Sequence, residues 1–284
     1  MAGFTSLQNI KDVVALSGGT FVVDYKKNGT AAVIGTTLDL WSVAGSMTLG
    51  VDPTAGMAGA VATSKTSAGA SYFPDAPAGE DYYLWKAAVT RTAGTSFTSQ
   101  GALFLAYDRL AHANVSIVQA TASFSPVING TSRLATGEGA QILCIVTGAL
   151  SAAANVFNLT YTNQAGAGSK TTQNVTTVAS AVVLRTPYAS YTWVPLADGD
   201  TGVRSIEGWT LVSGTATGNI NIILVKPLSY ITQLLYYTEP ELDYAVMLSG
   251  MQKIHNSACL CMAQTGSIST TASAFQNTIT LIHK

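Results

Sequence analysis

The sequence predicts a mainly β fold: an antiparallel, jelly-roll-like β-sandwich with an N-terminal β-rich and extended arm region and one or two short helices. Three observations carry this. Short apolar runs recur between clusters of Gly, Asn, Asp, Ser and Thr. Period-two alternation is explicit where Phe157, Leu159 and Tyr161 face one way and Asn158 and Thr160 the other. No helical crossover separates the runs, so neighbouring strands are joined by hairpins or longer loops rather than by βαβ units.

Taken in order, residues 6–16 read as a helix, with Leu7, Ile10 and Val14 on one face and Gly18-Gly19 ending the pattern. Residues 21–25 read as a strand closed by a Lys26-Lys27-Asn28-Gly29 turn, because Asn-Gly favours hairpin turns. Weaker strands are expected at 32–34 and 38–43. Residues 50–79 are rich in Gly, Ala, Ser, Thr and Pro and read as a loop or arm ordered only against something else. Within it, Tyr72-Phe73-Pro74 is either a docking anchor or a cap on the sheet. Strands follow at 82–90, 102–107, 115–124, 140–147, 156–162, 174–185, 191–196, 204–212 and 219–225. Turn clusters such as Asn129-Gly130 and Gly137-Glu138-Gly139 separate them. A second helix is expected to open at Thr238, with Pro240 in its first turn, Glu241 in capping-box position, and Leu242, Ala245, Val246 and Ser249 following. Strands at 258–263 and 278–283 close the chain. Residues 1–80 are expected to form the N-terminal segment and arm, and 81–284 the sandwich domain.

Composition restricts the function. Of the 284 residues, 48% are hydrophobic and only 10% charged, well below the roughly 25% charge of an ordinary soluble domain. A chain so short of charge is a membrane protein, aggregates, or has much of its surface covered by partners. No apolar stretch reaches the ~18 residues of a membrane helix. The opening Met-Ala-Gly-Phe-Thr-Ser has no signal-peptide pattern. The covered-surface reading remains. Net charge is −1 and the longest basic run is Lys26-Lys27, so direct nucleic-acid binding is not expected.

No catalytic, cofactor-binding or metal-binding residue is predicted. Cys144, Cys259 and Cys261 read as reduced, buried thiols made in a reducing cytoplasm. His112, His255 and His283 lack metal-ligand spacing, and His255 with Cys259 and Cys261 lacks the context of a zinc or Cys–His site. His283 reads as a surface residue. Asp198-Gly199-Asp200 with Glu207 falls short of a calcium loop and reads as a tight turn, with a contact to Arg204. Asp75, Glu80 and Asp81 read as a solvated acidic loop. Five Asn-x-Ser/Thr matches, at Asn28, Asn114, Asn129, Asn158 and Asn174, are what Ser/Thr-rich strands produce by chance. Tyr188, Tyr191 and Trp193 serve either the sandwich core or a sugar-binding surface, and core is the simpler use.

Several segments resemble virion structural proteins of tailed bacteriophages. These are Leu105-Ala-Tyr-Asp-Arg-Leu110, Leu159-Thr-Tyr-Thr-Asn-Gln164, Val194-Pro-Leu-Ala-Asp-Gly-Asp-Thr-Gly-Val-Arg-Ser-Ile-Glu207, Ile223-Leu-Val-Lys-Pro-Leu228 and Ala258-Cys-Leu260. Their order is kept over roughly residues 82–284, and the N-terminal third matches less clearly. The resemblance implies an accessory capsid protein of the cement or decoration type, made in the bacterial cytoplasm and placed on the outer capsid. Its partners would be the major capsid protein or other virion proteins, with self-association as a trimer. It brings no catalytic residue. A receptor- or glycan-binding module on a tail, collar or head fibre is the alternative, and a polysaccharide hydrolase would need a paired-carboxylate cleft that the sequence does not place.

Overall fold

The structure is a computed structural model that describes residues 7–15, 18–28, 35–93, 102–118, 120–189, 191–214, 217–233, 240–244, 251–265 and 274–284. Helix α1 (Leu7–Ala15) precedes β1 (Thr20–Asn28), β2 (Thr37–Asp39) and β3 (Ala60–Val61). The long strands β4 (Tyr82–Ala93) and β5 (Ala102–Ser116) follow, then β6 (Thr121–Asn129), β7 (Gln141–Gly148) and β8 (Val156–Asn163). Two short strands, β9 (Lys170–Thr171) and β10 (Val175–Thr176), lead to β11 (Val203–Ser213) and β12 (Asn219–Gln233). The chain ends with β13 (Glu241–Asp243), β14 (Lys253–Ile254), β15 (Leu260–Thr265) and β16 (Ala274–His283). The fold is mainly β, and every strand pairing is antiparallel.

A central sheet in the order β2-β15-β5-β12-β7 organises the molecule, with β3 also pairing with β5. Its two longest strands, β5 and β12, each carry one extra residue: Leu110 opposite the Leu224/Val225 step, and Leu228 opposite the Tyr107/Ala106 step. Such bulges bend a strand. The second also accommodates Pro227, which has no N–H to give to a central ladder.

Two further sheets pack on this one. The sheet β10-β8-β11-β6 closes a sandwich in which Phe124, Phe157, Leu159, Ile206 and Trp209 meet Val115, Ile142, Cys144, Ile222 and Leu224. The sheet β1-β16-β4-β13 closes a second, with Val23, Tyr25, Leu84, Phe275 and Ile279 against Phe104, Ala106, Leu228 and Met262. Each fully buried Leu, Ile or Phe contributes about 1.5–3 kcal/mol. Alternation along β5 and β15 leaves a third apolar cluster facing the other way: Leu105, Tyr107, Cys259, Cys261 and Ala263, joined by Trp41 and Ala62. Long shared strands thus let one sheet serve two sandwiches.

Several sequence expectations change. The anticipated turn at Lys26-Lys27-Asn28 is strand, because β1 pairs with β16 through Asn28↔Ala274. Gly29 and the weak strand at 32–34 lie outside the described residues. Glu241 and Leu242 are not helical: β13 pairs Glu241 with Ala88 and Leu242 with Ala87, so a waiting sheet edge outweighs the capping-box pattern. Thr238, Ala245, Val246 and Ser249 lie outside the described residues. Residues 115–124 split into two strands, and 38–43 keeps strand only at its start. Residues 174–185 and 191–196 are largely irregular; Ser180 and Leu184 have φ of 52° and 66°, which no strand allows. In α1, Ile10 packs against Tyr83 and Ile282 with Val13 beside it, while Val14 is exposed. Ile10 is buried as expected, and Val13 takes the inward place expected of Val14.

Residues 50–79 are ordered by this chain's own sheets. β3 pairs with His112 and Ala111, Phe73 is fully buried, and its ring lies 5.6 Å from Tyr82, edge to face. Small side chains make the close approach possible: a Cβ on Gly50 would stand 2.3 Å from the Trp41 ring. β1 and β2, also within the first eighty residues, pair with β16 and β15. Among the described residues no helix is long and apolar enough to cross a membrane.

Candidate functional site

Among the described residues, the densest cluster of charged groups lies on the face of the central sheet that carries the third apolar cluster. The Leu110 bulge allows Arg109 and His112, three residues apart on β5, to share that face. Arg109 is fully buried. Its Nη1 donates to Asp39 Oδ2 at 2.8 Å and its Nη2 to Asp52 Oδ1 at 2.9 Å. Tyr107 OH donates to Asp39 Oδ1 at 2.6 Å, Trp41 N–H to the same oxygen at 3.0 Å, and Ser42 OH to Asp52 Oδ2 at 2.9 Å. Asn221 Nδ2 also donates to Asp52. The Trp41 ring centre lies 4.8 Å from the guanidinium carbon, a cation–π contact.

The electrostatics follow from burial. Desolvation opposes charge on Arg109, but Asp39 and Asp52 outweigh it and hold the guanidinium protonated. Burial raises the Asp52 carboxyl above its ordinary range, against the pull of Arg109. Burial, then the charge of Arg109, pushes His112 down to about 2, so its ring is neutral and Nδ1 accepts from Arg109 Nε at 3.2 Å. Each charged group of the cluster is paired inside the protein, whereas among the described residues Trp41 Nε1 and Asn221 Oδ1 are buried without a hydrogen-bond partner. Chemically it fastens residues 39–53 to β5.

A second cluster straddles the same strand. Arg133 Nε and Nη2 grip Asp108 at 3.1 and 3.0 Å, and Arg133 also donates to the carbonyls of Ala62 and Arg109. Asp108 accepts in addition from Cys259 N–H at 2.8 Å. Beside this pair a small cavity is lined by Lys226, Lys253 and His255, and burial lowers the Lys226 ammonium. Sequence reasoning missed Asp39, Asp52, Asp108, Arg109 and Arg133 as a group. The available signal was Asp108-Arg109 inside the apolar run of β5, since buried charges come paired.

The residues weighed from sequence fall elsewhere. Cys144, Cys259 and Cys261 are buried free thiols, with 3.9 Å between the sulfurs of Cys259 and Cys261. Burial raises Cys144 and Cys261 well above the usual thiol range. His255 is exposed and accepts from Ser257 N–H. His283 is no free surface residue: it is half-buried, pairs with Glu80 through Nδ1 and contacts the Gly18 carbonyl at 2.7 Å. Asp75 and Asp81 are likewise paired, with Lys65 at 2.9 Å and Lys253 at 2.7 Å, so the acidic loop is pinned rather than freely solvated.

Asp200 accepts from Tyr161 OH and Asn163 Nδ2, Asp198 from Gln173, and Glu207 from Thr162 and Ser205. Gly199 takes a φ of 83°, as the tight turn requires. The expected contact to Arg204 is not made; that side chain donates to the carbonyls of Thr136 and Gln164. Tyr188 is core and stacks on half-buried Tyr191 at 4.6 Å, and Trp193 is half-buried.

No family model matches the sequence, and no curated protein does. Among solved structures the chain is similar to the VP2 subviral particle of infectious bursal disease virus, at 7% identity and a TM-score of 0.20, over 93% of this chain and 80% of that one. It is also similar to a D431N mutant VP2 of the same virus in T=1 particles, at 9% identity and a TM-score of 0.21, over 93% and 77% of the two chains. At these scores the likeness supports no statement about function.

Proposed function

We propose that the chain is a structural, non-catalytic component of a bacteriophage particle, a capsid cement or decoration protein. In this reading it self-associates, as a trimer, on the outer capsid surface. It bridges copies of the major capsid protein or other virion proteins after synthesis in the host cytoplasm. One observation carries it: a chain short of charge places part of that charge inside and leaves apolar side chains outside. Of 14 basic and 15 acidic residues, Lys27, Arg109, Arg185, Asp39 and Asp108 are buried, while Val22, Val51, Val118, Val182 and Val183 are exposed. Such a surface is suited to being covered, and modest contacts repeated over a shell add up. The test is direct. Purified protein added to capsids lacking it should co-sediment and raise their disruption temperature; failure of both sinks the proposal.

The receptor- or glycan-binding reading rests on one local feature. Trp193 Nε1 donates to Tyr230 OH at 3.1 Å, forming a partly exposed aromatic pair of the kind sugars stack on. A glycan array probed with the protein and with Tyr230→Ala separates the two readings. Release of reducing ends from host capsule would instead revive a hydrolase.

A further inference from the structure

β1 is an edge strand of its sheet, and its outer edge is already half used. Lys26 N–H donates to Ser46 Oγ at 2.8 Å, Ser46 N–H to Lys26 O at 2.9 Å, and Asn28 N–H to Ala44 O at 2.7 Å. Residues 44–46 therefore lie along β1 as a short added segment, with an antiparallel bridge between Lys27 and Gly45. These bonds also set the parity of the strand. Even-numbered residues turn their backbone groups outward and odd-numbered ones toward β16. The register with β16 is unbroken from Thr20 to Asn28, so Val22 and Asp24 also turn outward.

After Ser46 the chain leaves β1, and Gly50 N–H bonds to Trp41 O instead. The space opened is a groove of about 410 Å³ between Phe21–Asp24, Ser46–Thr48 and Gly69–Tyr72. Among the described residues, the backbone N–H and C=O of Val22 and Asp24 meet no hydrogen-bond partner. Val22 is 53% exposed and Tyr72 66%. Edges of this kind are usually blunted by charge, proline or a covering segment. Here the covering segment stops short.

We infer that the outer edge of β1, from Phe21 to Asp24, takes up an extended segment of a partner chain as an added strand. At ~3.3 Å per residue the edge holds three or four residues of such a strand. Its chemistry is set by the lining. Ser46, Thr48 and Ser71 line it with hydroxyls, Phe21, Met47 and Tyr72 with apolar surface, and among the described residues Asp24 is the only charged side chain in the groove. The occupant is an uncharged or singly basic segment rich in β-branched and hydroxyl residues, held mainly through its backbone. That the partner is another particle protein rests on the proposed function; the strand addition does not.

The probe is a peptide, acetyl-Thr-Val-Lys-Val-Thr-amide, titrated into the isotopically labelled full chain. Binding should slow amide exchange at Val22 and Asp24 and leave Phe21 and Val23 unchanged, because the latter already bond to β16. N-methylation of alternate peptide amides should weaken binding about tenfold or more, as should Val22→Pro in a chain that remains folded. No binding, binding that leaves Val22 and Asp24 exchange unaltered, or equal affinity for the methylated peptide overturns the inference. Strand pairing with the peptide alongside failure to bind capsids would instead remove the virion reading and keep the edge.

Discussion

Arg109 and Asp39 meet at 2.8 Å inside the protein, one from the middle of a fifteen-residue strand and the other from the end of a three-residue strand seventy positions earlier. Together with Asp52 they bind an irregular stretch of chain to the sheet that both sandwiches share. The price of burying these charges is recovered only while every partner is present, so the pair is a sensitive point.

Arg109→Met should cost about 3–5 kcal/mol, because it leaves the carboxyl groups of Asp39 and Asp52 without their cation. Adding Asp39→Asn and Asp52→Asn to the same chain should return much of the loss. Urea unfolding of the single and triple variants measures both. A single variant as stable as the parent would mean the cluster does not hold the segment.

His112 makes stability depend on pH. Its folded pKa of about 2 lies below the ordinary 6.5, so the unfolded chain binds the proton first. Its contribution is present above pH 6.5 and lost as pH falls, at about 1.4 kcal/mol per pH unit. Asp52 is shifted upward and works in the opposite sense: its contribution is present below pH 3.8 and lost as pH rises through its folded value. Comparing the parent with His112→Gln between pH 6.5 and 5 isolates the histidine, and the variant should show the shallower slope.

Gly50→Ala should destabilise by roughly 1–3 kcal/mol, since its Cβ would meet the Trp41 ring at 2.3 Å. Displacement of Trp41 should also change the tryptophan fluorescence of the folded protein. An unchanged spectrum together with an unchanged melting temperature would contradict the packing described.

Cys144, Cys259 and Cys261 should resist thiol reagents while the chain is folded, because all three are buried and only a thiolate reacts. Three equivalents should be released on unfolding in guanidinium. Prompt reaction of one thiol in the native protein would show that its strand opens readily.

Features written into neighbouring residues were legible beforehand. The alternation from Phe157 to Tyr161 became a strand with those side chains buried, and Asp198-Gly199-Asp200 became a turn. The charged pair Asp108-Arg109 was visible inside an apolar run, but its partners were not. Arg133 lies 25 positions away from Asp108, and Asp52 lies 57 from Arg109. No local pattern links residues so far apart. At Glu241 a legible local signal lost, because a capping box competes poorly with an unpaired strand edge on β4.

By itself the sequence determined the mainly β class, most strand positions, the reduced thiols and the shortage of charge, since each depends on composition or on neighbours in the chain. Tertiary structure alone decided what those strands build. Bulges at Leu110 and Leu228 let one sheet serve two sandwiches, and a small-residue arm that cannot form its own core settles on the sheet's remaining face. The reason is that strand order, bulge position and ion pairing are chosen by the free energy of the whole assembled core, to which residues far apart in the chain contribute together.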